Sequence, residues 1–205
     1  MSDALLNAAQ SHPRTGGASF SLAHRTVRAL FSVTWLLLAA WTPPPLRGWR
    51  RLVLRLFGAQ LGVGANIYAS ARIWYPANLV MGDYATLGRR VRCYNQARVT
   101  IEAYAVVSQD ATLCAGTHDY EDPHFPLRTR PIVLEAQSWI AAEAFVGPGV
   151  TVGSGAILGA RGVAMKDLAA GTIHAGNPAV AIKQRHATDH DVHAMAQPNT
   201  ARPQT

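Results

Sequence analysis

One segment of the 205-residue chain gathers side chains suited to proton transfer. Residues 115–131 read AGTHDYEDPHFPLRTRP, with His118 and His124 close to Asp119, Glu121 and Asp122. Imidazole is the side chain whose ordinary pKa lets it take up a proton near neutral pH. His118 stands at the root of the segment, where regular flanking structure would hold it still, and is the candidate general base. Asp119 follows directly and is the orienting candidate, since a carboxylate can accept from the imidazole N–H and fix its tautomer. Neighbouring side chains on an extended strand point apart, so a backbone carbonyl is the competing partner. His124, lying between Pro123 and Pro126, reads as conformational. His and Asp at this irregular spacing lack the paired pattern of a zinc site, so no metal is expected. Neither a Walker-type glycine loop nor a nucleophile elbow occurs.

The segment interrupts a repeat of six. Ile67, Ile73, Leu79, Ala85, Val91 and Ala97 are spaced by six and are all apolar. Two extra residues fall near Val99 and Thr100, after which Ile101, Val107 and Leu113 resume the frame. Beyond the interruption it returns at Leu134, Ile140, Val146, Val152, Leu158 and Ala164. A period of six matches neither helix nor ordinary strand and indicates a parallel β-helix. Each hexad is a short strand and a turn, and three hexads make one triangular coil. Residues 61–114 read as three coils of 18 and residues 133–168 as two more. Small residues such as Gly64, Gly82, Gly88, Gly147, Gly153 and Gly159 are expected at the corners. The fold class is thus all-β: a parallel β-helix of about five coils with a protruding loop at 115–131, preceded by a helical segment.

That entry segment carries most of the charge. The formal net charge is +7, of which residues 1–57 contribute +6, through seven arginines against Asp3. A nucleic-acid-binding body would be basic across its docking face; this body is nearly neutral, and no nucleic acid partner is expected. Residues 29–41 are apolar, too short to span a bilayer, and stop at Thr42-Pro43-Pro44-Pro45. In 46–57, Leu46, Trp49, Val53 and Leu56 share one helical face and Arg47, Arg51 and Arg55 another. The segment would either cap the β-helix or lie on an anionic membrane surface, and one segment can do both. Cys93 and Cys114 form no disulfide framework and suit a reducing compartment. No secretory leader is expected, so the location reads as cytoplasmic, peripheral to the inner membrane if the segment binds it. The organisation expected is a flexible 1–21, a basic helical segment over 22–60, the β-helix over 61–186 and a flexible tail over 187–205.

The hexads, the GTHDY motif, WIAAEAFVGPGVTVGSGAILGARGVAMKD and HAGNPAVAIKQR resemble the left-handed β-helix acetyltransferases, among them the maltose, galactoside and nodulation-factor O-acetyltransferases. WRRLVLRLFGAQLG, IYASARIWYPANLVMGDYATLG and SQDATLCAGTHDYEDPHFPL resemble the colanic-acid-type exopolysaccharide branch. The resemblance implies a homotrimer with sites in the clefts between subunits, acetyl-CoA as donor and a sugar hydroxyl, free or lipid-linked, as acceptor. It places His118 on the catalytic histidine and Asn95 beside acceptor-binding positions, with an inward, structural asparagine as the alternative. It places Trp139, Ala142, Ala160, Met165, Lys166 and Lys183 along the coenzyme A groove. An acetyltransferase for another small acceptor (serine, an amino-sugar, an antibiotic) and a non-catalytic β-helix scaffold are the other readings of the chain.

Overall fold

The structure, a computed structural model, describes residues 5–185. Residue 186 and the tail 187–205 lie outside the described residues, as do residues 1–4. The body is a three-sided parallel β-helix. Its first face stacks Gln60–Leu61, Leu79–Met81, Val99–Ile101, Ile132–Leu134 and Thr151–Val152. The second stacks Asn66–Ile67, Thr86–Leu87, Val106–Val107, Trp139–Ile140, Ile157–Leu158 and Thr172–Ala175. The third stacks Arg72–Ile73, Arg92–Tyr94, Thr112–Cys114, Phe145–Val146 and Val163–Ala164. These are five complete coils. A partial sixth, begun by the bridge from Val152 to Leu168, ends in an antiparallel strand, Val180–Gln184.

Each strand offers one buried apolar column to the axis. Met81, Ile101, Leu134 and Val152 line the first face inside, Ile67, Leu87, Val107, Ile140 and Leu158 the second, and Ile73, Cys93, Leu113, Val146 and Ala164 the third. Burying one Leu or Ile per hexad contributes roughly 1.5–3 kcal/mol, which is why a strand of two or three residues suffices.

The spacing differs from the expected three coils of 18. Gln60 pairs with Val80 and Leu79 with Val99, so the first two coils are 20 residues long. After Ile73 the axial position moves by eight to Met81, and after Cys93 by eight to Ile101, so there are two insertions and not one. Leu79, Ala85 and Val91 are buried as well, one pleat earlier on the same strands or turns. Because both positions are apolar, the hexad count could not tell the two frames apart.

The corners also differ in their chemistry. Left-handed backbone falls on Gly64, Tyr84, Tyr104, Gln137 and Gly155 at one corner and on Arg90, Asp110, Glu143 and Arg161 at the next, so glycine takes only two of these positions, the expected Gly64 among them. The amides of the non-glycine residues are spent on the coil before: Tyr104 N–H donates to the Asp83 carbonyl and Arg161 N–H to the Ala142 carbonyl. A satisfied donor at every turn offsets the roughly 1–2 kcal/mol cost of that conformation. Gly82 and Gly153 serve a different end. A Cβ at Gly82 would lie 2.6 Å from the Ala103 nitrogen, and one at Gly153 would lie 2.5 Å from that of Ala170. It is coil-to-coil approach, more than turning, that requires glycine there.

Helices close the open end of the first coil. The helices are α1 (Ala8–Ser11), α2 (Leu22–Leu38) and α3 (Arg47–Leu56). Phe31 of α2 and Leu54 of α3 enter the core. The inward row of α3 is Arg50, Val53 and Leu54, whereas Leu46, Trp49 and Leu56 of the expected apolar row are exposed. The reason lies in the unpaired carbonyls of the first coil, which need donors. Arg50 Nε donates to the Ile67 carbonyl at 2.8 Å, and its Nη1 to Thr42 Oγ1 at 2.9 Å. Arg51 reaches the Ala65 carbonyl and Arg55 the Leu61 carbonyl. Of the segment 1–21, expected as flexible, the described part packs on the body: Leu6 N–H donates to the Ser19 carbonyl, and Phe20 lies against Trp74, as does His24 of α2. Among the described residues no helix is long and apolar enough to cross a membrane.

Candidate functional site

The third-to-first-face corner is widened in three successive coils. In the first it carries Trp74–Asn78, in the second Asn95–Arg98, and in the third the whole of 115–131. Ile132 pairs with Val99, so the third coil is 33 residues long. The long segment is a β-arm, with Gly116–His118 antiparallel to Leu127–Thr129. His118 therefore sits on a strand that continues directly from the third-face strand Thr112–Cys114.

The His118 ring stacks on Phe125, centroids 4.3 Å apart and planes 6° from parallel. Its Nδ1 lies 3.0 Å from the Phe125 carbonyl. A carbonyl only accepts, so Nδ1 carries the proton and Nε2 presents its lone pair. Asp119 has turned away. Its carboxylate accepts from Arg128 Nη2 at 3.1 Å, and that hydrogen bond holds it below the usual carboxylate range. The backbone carbonyl, the competing partner, thus orients the His118 ring. His124 is exposed, its N–H donating to Asp122 Oδ1 in a local turn.

Phe125 has left-handed backbone (φ 50°), which turns its carbonyl and ring back onto His118. Arg14, from the entry segment, donates to the Pro123 carbonyl at 3.3 Å and lies 5.8 Å over the Phe125 ring. Neither residue was singled out from the sequence. A phenylalanine between prolines gives no sign of its partner, and Arg14 is 109 residues from Pro123.

Asn95 lies one coil below. It is fully buried, and its Oδ1 accepts from the amides of Trp74 at 3.2 Å and Tyr75 at 3.0 Å. Its Nδ2 donates to the Tyr75 carbonyl at 2.7 Å. No polar atom of this side chain faces outward, so within one chain it is the inward, structural asparagine. It shapes the corner that carries Trp74 and Tyr75.

The expected coenzyme residues fall on different edges of the prism. Trp139 stands half-exposed on the second face, its Nε1 donating to Ser108 Oγ at 2.9 Å. Ala142 and Ala160 form the second-to-third corner of the two following turns. Met165 and Lys166 lie instead on the third-to-first corner, the edge of His118, and Lys183 is exposed on the terminal strand. One prism does not bring the two groups together. Among the described residues no three His, Cys, Asp or Glu side chains are placed to hold a metal ion.

A groove of about 630 Å³ runs along the third face beneath α2. Arg28, Arg72, Trp74, Arg92, Tyr94 and Cys114 are among the residues that line it. It crosses the strand that leads into His118 and reaches Phe145 on the next coil.

No family model matches the chain. Over 150 residues it is 44% identical to a protein of Escherichia coli (strain K12) named as a colanic acid biosynthesis acetyltransferase, covering 73% of this chain and 82% of that one. A hexapeptide-repeat acetyltransferase of Vibrio cholerae, solved with acetyl coenzyme A, superposes with a TM-score of 0.72 at 16% identity, over 89% of this chain and all of that one. A galactoside acetyltransferase in complex with coenzyme A gives a TM-score of 0.71 at 18% identity, over 91% of this chain and 94% of the other.

Proposed function

The chain belongs to the colanic acid biosynthesis acetyltransferases of the hexapeptide-repeat type, and we propose that it transfers acetyl from acetyl-CoA to a sugar hydroxyl in exopolysaccharide or lipid-linked oligosaccharide assembly. The observation that carries the reading is the setting of His118: Nδ1 is committed to the Phe125 carbonyl and the ring is clamped by stacking, which supports Nε2 as the base.

A sugar hydroxyl is a weak nucleophile at neutral pH. Nε2 of His118 removes its proton as the oxygen attacks the thioester carbonyl. The C–S bond then breaks, and the proton passes from Nε2 to the departing thiolate. Neither a covalent enzyme intermediate nor a change of oxidation state is involved. Backbone N–H groups of a neighbouring coil are the proposed donors to the tetrahedral oxyanion.

The donor would lie along Trp139, Ala142 and Ala160, where the two alanines leave room for a pantetheine arm beside the Trp139 ring, with Lys166 and Lys183 toward its phosphates. Since these residues occupy two edges, one cleft holding them all requires two copies, which supports an oligomer; a homotrimer is the form proposed. Asn95 supports the site by holding the Trp74–Tyr75 corner.

The proposed location is the cytoplasmic face of the inner membrane. Leu22, Leu30, Val33 and Leu37 form an outward stripe on α2, between 55% and 74% exposed. No carboxylate occurs between Asp3 and Asp83, a stretch with eight arginines. An apolar stripe set in an all-cationic segment is complementary to an anionic bilayer.

His118→Ala tests the assignment through release of coenzyme A thiol in the presence of sugar acceptors. The half-buried ring can be lost without unfolding the arm, and turnover should fall roughly 10²–10⁴-fold. Near wild-type turnover would remove His118 from the mechanism.

A further inference from the structure

The third-face groove carries a charge arrangement that acetyl transfer to a neutral sugar does not require. Arg72 and Arg92 are in register on adjacent strands, with Thr112 next in the same column. Parallel neighbours lie about 4.8 Å apart, so two guanidinium stems leave the sheet side by side. Like charges directly opposite are unfavourable. Elsewhere the chain relieves this by placing a carboxylate one coil away: Arg90 grips Asp110 through two bonds of 2.7 and 2.6 Å, and Arg161 reaches Glu143 at 2.8 Å. Among the described residues no carboxylate hydrogen-bonds to the Arg72–Arg92 column; Asp110, already gripped by Arg90, feels the Arg92 charge only at a distance. The column's hydrogen-bonded neighbour there is Thr112, whose Oγ1 accepts from Arg92 Nε at 3.2 Å. A third cation, Arg28, comes from α2 and lies 4.2 Å over the Trp74 ring.

Two residues along the strands runs an aromatic column. Trp74 and Tyr94 meet edge to face, 5.6 Å between centroids, and Cys114 continues the column toward His118. The groove thus offers three guanidiniums beside an aromatic wall that leads to the base. Guanidiniums hold phosphate oxygens through paired N–H donors, and aromatic faces take the C–H face of a pyranose. At about 630 Å³ the groove has the size of a ligand site, larger than one hexose needs.

We propose that the groove binds the diphosphate of a glycosyl diphosphate, with Arg72, Arg92 and Arg28 on the phosphates and the sugar lying over the exposed Tyr94 toward His118. The inference deepens the acetyltransferase reading and rests on it. Sugars carried on a nucleotide and on a polyprenol share this diphosphate, and the shared chemistry is what the groove recognises.

Inorganic pyrophosphate titrated calorimetrically into the full chain, with coenzyme A saturating, probes the groove apart from catalysis. The proposal expects binding that Arg92→Glu weakens about tenfold or more while the thermal midpoint does not fall, because Glu at 92 would pair with Arg72 as Asp110 pairs with Arg90. Arg72→Gln should weaken binding likewise. Pyrophosphate affinity unchanged in both variants, or no binding by the wild type, overturns the proposal. A second arm compares acetyl transfer to glucose on uridine diphosphate, glucose on a polyprenyl diphosphate and methyl glucoside. The kcat/KM preference for the diphosphate-linked forms over the methyl glycoside should drop at least about tenfold in Arg92→Glu, and the better of the two carriers identifies the source. A preference that Arg92→Glu leaves intact overturns the groove but not the transferase. Pyrophosphate binding as stated, with no acetyl transfer to any sugar, overturns the transferase and keeps the anion site.

Discussion

Asn95→Ala separates a residue that touches acceptor from one that holds a corner. The side chain makes three hydrogen bonds, to the amides of Trp74 and Tyr75 and to the Tyr75 carbonyl, from a fully buried position. Each neutral bond contributes about 1 kcal/mol net, and orphaned backbone groups raise the cost of losing them. The variant should therefore lose at least about 3 kcal/mol. For a chain of this size each kcal/mol moves the midpoint by roughly 2–4 °C, so the thermal midpoint should fall by roughly 6–12 °C. Differential scanning calorimetry on the full chain, beside acetyl-transfer kinetics below the transition, reads both roles. Asn95→Asp should recover part of the loss, since its carboxylate still accepts from both amides but no longer donates to the Tyr75 carbonyl. A midpoint within about 1 °C of wild type, together with a raised acceptor KM, would refute the structural role and restore Asn95 as an acceptor contact.

Three further outcomes follow from the same geometry. Asp119 is tied to Arg128, which lowers its pKa, so it stays charged as pH falls through the ordinary carboxylate range and loses its partner only as pH falls through the lowered value. Asp119→Asn should hence leave the neutral-range limb of the pH–rate profile in place and change turnover by less than about fivefold, whereas a loss as deep as that of His118→Ala would show that Asp119 orients the base after all. Burial pushes the Cys93 thiol up to about 12; a thiol reagent at pH near 8 should label Cys114 alone in the native protein and both cysteines after denaturation, and rapid native labelling of Cys93 would contradict the packing of the third face. Flotation with vesicles containing phosphatidylglycerol should carry the full chain, and the double change Leu30→Glu with Leu37→Glu should abolish it without lowering the thermal midpoint. Flotation unaffected by the change would put the membrane contact elsewhere, and a changed oligomeric state would mean that a second copy covers α2.

What the residues determined alone was the scaffold and its interruption. Axial burial demands an apolar residue at each turn of the coil, so the period of six is written directly in the sequence, and any long insertion stands out against it. His118 was legible for the same reason: it is the histidine at the point where the period fails. Where each side chain points was decided by coil register, which local spacing does not encode. Two insertions, at 74–78 and at 94–98, made the early coils 20 residues long and stacked three widened corners into one site. That stacking turned Asn95 inward and aligned Arg72 over Arg92. The partner of His118 was likewise a matter of tertiary structure, because strand alternation sent Asp119 to Arg128 while the left-handed turn at Phe125 brought a carbonyl back to the ring. Arg50 went inside because the first coil ends in carbonyls with no strand beneath them, a demand that exists only once the coil has formed.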